Sequence, residues 1–339
     1  MTDSAGPAVS VIVIGRNEGD RLVRCLESVG SMRAIEGEVE VIYVDSDSTD
    51  GSPQKAEALG ARALTVKPER PAAAIGRNAG WRAALAEIVL FLDGDTILDA
   101  NFAADSLVEF DDPNVAVVWG HRREIHPEAS VYNRVLDLDW IYPPGPSEFC
   151  GGDALMRRSV LEEVGGFDET LIAGEEPEMC RRIRTSGYVI LHVDRPMTGH
   201  DLAMTRWSQY WRRAFRAGHA YAEVADRFRG TEMPMWEREV KRNLIHGTAM
   251  MMLAAVGLAG SIALVSPIPV LGAVGLWLAL VLRTAAKCGW KSRHLTTRLL
   301  YGIHSHLQQV PILFGQIRYR RDRRAGRKQA LIDYKEDAR

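Results

Sequence analysis

The sequence predicts an α/β domain, a mostly parallel sheet covered by helices, followed by a C-terminal α-helical hairpin apolar enough to span a membrane. Three observations lead there. Short β-branched runs alternate with helical patterns over the first hundred residues, two charge-free apolar runs lie between Gly247 and Leu282, and charge divides along the chain. Residues 1–202 hold 19 Lys+Arg against 35 Asp+Glu, and residues 203–339 hold 23 against 9. The net charge of -2 over 339 residues therefore conceals an acidic part at -16 and a basic part at +14. A basic part of that size is expected to meet a polyanion or an anionic membrane surface.

The elements follow in order. Val9 to Ile14 reads as a buried strand and Asp20 to Val29 as the helix after it; Val39 to Val44 and Ser52 to Leu59 repeat the pair. A helix over Ala74 to Leu85 leads into a third strand, Ile88 to Leu92, and Val115 to Trp119 reads as a fourth. Beyond it the pattern is less regular, with a Pro-rich loop at Tyr142–Pro146. Glu175 opens a short helix whose first turn suits Pro177 and whose end is marked by Gly187. Arg206 to Arg229 is helical, basic and aromatic.

Gly247 to Val265 and Ile268 to Leu282 carry no charge, and each reaches the roughly 20 residues of a span once flanking residues are included. Basic residues flank the pair (Arg238, Lys241 and Arg242 before, Arg283, Lys287 and Lys291 after) and none lies in the turn, which places both ends in the cytoplasm. A buried hairpin of a soluble domain is the alternative. Tyr301 to Ile317 is apolar but holds His304, His306, Gln308, Gln309 and Gln316, and reads as an amphipathic helix in the membrane interface. The basic run Arg318 to Lys328 favours anionic lipid headgroups over nucleic acid. Four scattered cysteines, with no CxxC, fit a reducing cytosol, and MTDSAGPAVS lacks the pattern of a cleaved secretory signal. Three domains are expected: 1–230 catalytic, 231–295 hairpin, 296–339 interfacial helix and tail.

The chemistry-bearing residues follow strands. Asp93-Gly94-Asp95, two carboxylates at the end of a buried strand, can offer oxygen ligands to Mg²⁺ or Mn²⁺, where an isolated match would be a solvated turn. Asp45 ends another strand and can accept from a nucleobase or ribose, while Asp50 suits a helix cap. Arg77, in Gly76-Arg-Asn-Ala-Gly80, can pair with phosphate or sit in an ordinary ion pair. Of Glu175 and Glu176, at a helix start, either can act as a base. His200 can complete a metal shell or be structural.

These pieces, Val11 to Glu18, Val44 to Ser52, Gly76 to Gly80, Leu92 to Asp95, Gly151-Gly152-Asp153 and Gly174 to Glu178, stand in the order and rough spacing of family 2 glycosyltransferases. The chain resembles that family over about residues 8–220. The resemblance implies a GT-A fold and inversion by direct displacement of a nucleoside diphosphate from a UDP- or GDP-sugar. It implies that Asp45 and Arg77 contact the nucleotide, Asp93 supports ribose or metal, Asp95 binds the metal, Asp153 lines the sugar and acceptor pocket, and Glu176 is the base. Two departures matter: Glu175-Glu176 stands where the family commonly has Glu-Asp, and only Arg206-Trp207 remains of the Q-x-x-R-W element of processive members. The expectation is a non-processive enzyme on the cytoplasmic face of a bacterial inner membrane, acting on a lipid-linked acceptor, with oligomeric state open. A nucleotidyltransferase that forms sugar nucleotides, or a silent sugar-nucleotide-binding subunit, is the alternative.

Overall fold

A computed structural model of the chain describes residues 6–69, 72–171 and 173–326. Residues 1–5 of the opening segment, the last two residues of the basic run (Arg327 and Lys328) and the tail after them lie outside the described residues. The strands are β1 (Val9–Gly15), β2 (Val39–Asp45), β3 (Arg62–Thr65), β4 (Ile88–Asp93), β5 (Thr96–Leu98), β6 (Val115–Glu124), β7 (Gly145–Pro146), β8 (Ala154–Arg157) and β9 (Val189–His200). The helices are α1 (Asp20–Gly30), α2 (Ser52–Ala58), α3 (Ala73–Ala83), α4 (Phe102–Ser106), α5 (Val131–Asp137), α6 (Arg158–Val164), α7 (Glu175–Thr185), α8 (Trp207–Arg227), α9 (Glu237–Ala263), α10 (Ile268–Lys287), α11 (Leu295–Leu307) and α12 (Gln309–Arg324).

The chain forms two compact units. The first runs to Ile125 and resumes over Trp140–Leu202; the second takes residues 126–139 and everything from Ala203. This division differs from a catalytic domain over 1–230, because α8 packs on α12 and α9 within the helical unit.

The first unit is one sheet in the order β3-β2-β1-β4-β8-β6-β9-β5, with β7 on β9. β3, β2, β1 and β4 are parallel, as the alternating pattern predicts. Past β4 the sheet is mixed: β8 is antiparallel to both neighbours and β5 is antiparallel to β9. β1, β4 and β6 are buried over most of their length, which is why they read as continuous apolar runs instead of alternating ones. In α1, Leu22, Cys25, Leu26 and Val29 are buried at spacings of three and four, the stripe that lets a helix cover a sheet. Short strands such as β3, β5 and β8, three or four residues each, gave no readable period.

The second unit is helical. α9 and α10 are long and apolar enough to cross a membrane, and little of their apolar length is buried within the protein. Ile262 is 71% exposed, Val265 93% and Ile268 74%. The hairpin is therefore not buried within the described residues of the chain itself. The predicted single helix over Tyr301 to Ile317 is two helices, α11 and α12, parted at Gln308. Its polar residues point inward: His304, His306 and Gln316 are buried while Leu307, Phe314 and Ile317 are exposed. His304 bridges Tyr210 Oη (2.8 Å) and Asp139 Oδ2 (3.2 Å), and His306 meets His246 at 2.9 Å, so the buried rings find partners. α8 and α12 cross with backbones in contact, since a Cβ on Gly218 would lie 2.0 Å from Ile312 O and one on Gly315 2.0 Å from Phe215 O.

Candidate functional site

The site lies in the first unit, at the carboxyl ends of β1, β2 and β4, where an open α/β sheet binds ligands. β1 and β2 end in register, Gly15 beside Asp45. The loops beyond them are tied together: Ser46 N–H donates to Gly15 O (3.0 Å), Asn17 N–H to Ser48 Oγ (2.8 Å), Thr49 N–H to Asn17 Oδ1 (2.8 Å) and Gly19 N–H to Asp50 Oδ2 (2.9 Å). Asn17 at φ 54° and Asp47 at φ 62° supply left-handed turns that short polar residues tolerate. Asp45 is buried and organises its own turn, accepting from Tyr43 Oη (2.9 Å) and Ser48 N–H (2.8 Å). Asp50 accepts from Ser52 N–H (3.1 Å) at the start of α2, but the cap position itself is Gly51, so Asp50 braces the turn before the helix and is not its cap.

Asp93 closes β4 beside Ile14, and Gly94 N–H donates to Ile14 O (2.8 Å), pinning the acidic turn to the end of β1. The next strand, β5, pairs with β9 so that Thr96 faces His200. That pairing brings residues a hundred positions apart together: His200 Nε2 is 3.5 Å from Asp95 Oδ1. One oxygen each of Asp93 and Asp95 and a ring nitrogen of His200 lie within 4.8 Å of one another. Asp95 and His200 are buried and Asp93 is partly exposed.

Two arginines balance the acids. Arg77 Nη2 is 2.7 Å from Asp93 Oδ1 and its Nη1 is 3.1 Å from Glu175 Oε1. Arg122 Nη2 is 2.7 Å from Asp153 Oδ2. Asp153 is fully buried beneath Asp93, accepting from Asp93 N–H (2.9 Å) and Thr198 Oγ1 (2.9 Å). From there it buttresses the acidic turn. A Cβ on Gly152 would lie 2.7 Å from both Arg77 Nη2 and Asp93 Oδ2, so any larger residue there has to displace this ion pair. Burial raises the Asp93 carboxyl, but Arg77 and Arg122 outweigh it and hold Asp93 below the usual carboxylate range. Burial wins at Asp153, which is raised despite Arg122. With Asp95 and Glu175 counted, four carboxylates face two guanidiniums.

Glu175 and Glu176 part company in α7. Glu175 pairs with Arg77, whereas Glu176 turns away into a buried nook. Its Oε1 accepts from Cys150 N–H (2.7 Å), Cys180 Sγ (3.0 Å) and Cys150 Sγ (3.3 Å). Burial lifts the Glu176 carboxyl above the usual glutamate range even with those donors. Sequence reasoning missed Arg122, Thr198, Cys150 and Cys180. Only Cys180 had a local signal, its four-residue spacing from Glu176 on one helix face.

A cavity of about 650 Å³ opens beside the acids along β5, β6 and β9, not over them. Its walls are largely apolar, including Ile97, Ile125, Trp140, Ile141 and Met197. Arg122 connects the two places: it lines the cavity, pairs with Asp153 and lies 5.8 Å from the Trp140 ring, which is 5.0 Å from His200.

Residues 10–165 match the model of glycosyl transferase family 2, a span that contains Asp45, Arg77, Asp93, Asp95 and Asp153. Among curated proteins the chain is similar to the pre-mycofactocin glycosyltransferase of Mycobacterium tuberculosis, 27% identical over 231 residues covering 64% of this chain and 48% of the relative. The glycosyltransferase AglE of Haloferax volcanii is 23% identical over 227 residues, covering 64% and 74%. The chain thus spans about half the length of the mycobacterial relative. Among solved structures, the mannosyltransferase PcManGT of Pyrobaculum calidifontis, in complex with GDP-Man and Mn²⁺, shares the fold with a TM-score of 0.64 and 23% identity, covering 94% of this chain and 90% of that one. The mixed sheet and the six ordered motifs agree with that match: over residues 10–165 the chain carries a segment similar to glycosyl transferase family 2, and its fold is GT-A.

Proposed function

We propose that the chain is an inverting, metal-dependent glycosyltransferase that moves one sugar from a UDP- or GDP-sugar to a lipid-linked acceptor at the cytoplasmic face of a bacterial inner membrane. The observation that carries this reading is the convergence of Asp93, Asp95 and His200 at the strand ends, with an excess of carboxylate over guanidinium. Two carboxylates and an imidazole suit Mg²⁺ or Mn²⁺. A divalent ion held there would neutralise charge developing on the departing diphosphate.

This chain's own residues divide the remaining work. Asp45 and its tied loops form the floor for the nucleoside, and Arg77 holds Asp93 and Glu175 in place. Glu176 takes the proton of the acceptor hydroxyl as that oxygen forms its bond to the anomeric carbon. The bond from that carbon to the diphosphate breaks, and its electron pair leaves with the nucleoside diphosphate. A carboxylate raised by burial is a better base near neutral pH, and transfer fails as pH falls through that raised value, earlier than for an ordinary glutamate. The exposed apolar faces of α9 and α10 support a membrane anchor.

The test is release of nucleoside diphosphate from a panel of UDP- and GDP-sugars, GDP-mannose among them, by purified full-length protein with Mn²⁺ or Mg²⁺. Metal-dependent release that stops with EDTA is expected. Release of pyrophosphate instead would identify a nucleotidyltransferase and overturn the reading.

A further inference from the structure

Three donors crowd one oxygen of Glu176, and two of them are thiols. Cys150 precedes Gly151-Gly152-Asp153, and Cys180 sits one turn along α7 from Glu176. The two sulfurs are 3.6 Å apart, and both side chains are buried. Buried cysteines ordinarily pack as small hydrophobes, whereas these two aim at a carboxylate that is itself 8% exposed.

We propose that Cys150 and Cys180 are positioning residues for Glu176: their thiols, with the Cys150 N–H, clamp Oε1 and fix the direction in which the carboxylate presents its remaining lone pairs to the acceptor. This rests on Glu176 being the base. The thiols stay protonated, and so remain donors, across the working range. Burial pushes Cys150 up to about 11, and burial with the neighbouring Cys150 and Glu176 pushes Cys180 well above its usual value. Hydrogen bonds from neutral donors favour the ionised carboxylate, so the clamp opposes the burial that would otherwise neutralise it. Glu175 acts the other way through like charge, and Arg77, which also feels the Glu176 charge, is occupied by Asp93 and Glu175.

The two thiols are not equal. Cys180 Sγ is the nearer donor at 3.0 Å, while the single Cys150 S–H is shared among Glu176 (3.3 Å), Gly151 O (3.4 Å) and the other sulfur. Truncating Cys180 therefore has the larger effect, because the Cys150 N–H survives any substitution of its side chain.

The test follows the Glu176 carboxyl directly, without substrate, by pH-difference infrared spectroscopy of the full-length protein in detergent; the protonated C=O band that E176Q removes identifies it. Cys180→Ala should raise the pH at which that band appears by about one unit, the effect of losing one hydrogen bond to a charged group. Cys150→Ala should raise it less. Cys180→Ser, which keeps a donor of similar size, should return it to near the wild-type value. If the midpoint is the same in wild type and Cys180→Ala, or if Cys180→Ser behaves like Cys180→Ala, the clamp is wrong. Should Cys180→Ala not fold, the comparison of Cys180→Ser with Cys150→Ala decides, since only the latter should move the midpoint upward. Undiminished turnover by E176Q would overturn the base assignment and leave this titration result standing.

Discussion

At Arg77 one guanidinium joins two acids that reach it from different elements, Asp93 at the end of β4 and Glu175 at the start of α7. Its side chain is only 5% exposed, so removing it strands two carboxylates in a poorly solvated place. Arg77→Ala should lower stability by about 3 kcal/mol or more, read as a fall in melting temperature of the detergent-solubilised protein. Arg77→Ala melting like wild type would mean that the acids find other partners. The same pairings separate what local sequence dictates from what long-range pairing supplies. Asp45 and Asp93 end strands and Glu175 opens a helix, so their place was legible, while Arg77 lies within α3, the helix that precedes β4. The buried position of Asp153 beneath Asp93 was not legible, because it depends on β8 pairing antiparallel with β4. Arg122 and Thr198 arrive by long-range pairing of β6 and β9, which no local spacing announces.

Among elements, the long periodic ones were legible and the short ones were not. β1, β2, β4, α1, α2 and α3 fall within a residue or two of their predicted limits because burial on both sheet faces, or one helix stripe, fixes their composition. The helix expected over Tyr301 to Ile317 divides because Gln308 parts α11 from α12 and Pro311 sits in the first turn of the second. Its histidines face inward because Tyr210, Asp139 and His246 lie there to receive them, information that a single-helix pattern lacks. The α8–α12 crossing is the sharpest element-level constraint. Gly218→Ala places a methyl against Ile312 O and should cost about 1–3 kcal/mol, whereas Gly272→Ala in α10, with nothing within 4 Å, should cost nothing. Thermal unfolding of both variants checks this; equal melting temperatures would show that the two helices separate easily.

For the whole molecule, the charge divide read from the sequence falls at the boundary of the two units, between Leu202 and Ala203. The sheet-bearing unit is acidic and holds the site; the helical unit is basic and carries apolar helices with exposed faces. That combination predicts an integral membrane protein: the full-length chain should stay with the membrane pellet through an alkaline carbonate wash and come away only with detergent. Release by carbonate alone would mean that α9 and α10 lie on the membrane or against a partner instead of crossing it. The central claim is narrower, that Glu176 removes the acceptor proton while Asp93, Asp95 and His200 hold the donor's metal. Its most direct measurement sets the E176Q protein beside wild type, comparing binding of the nucleotide sugar with release of nucleoside diphosphate in the presence of Mn²⁺. The predicted result is unchanged donor affinity with turnover reduced by about 10²–10⁴-fold, and undiminished turnover in E176Q would contradict the account.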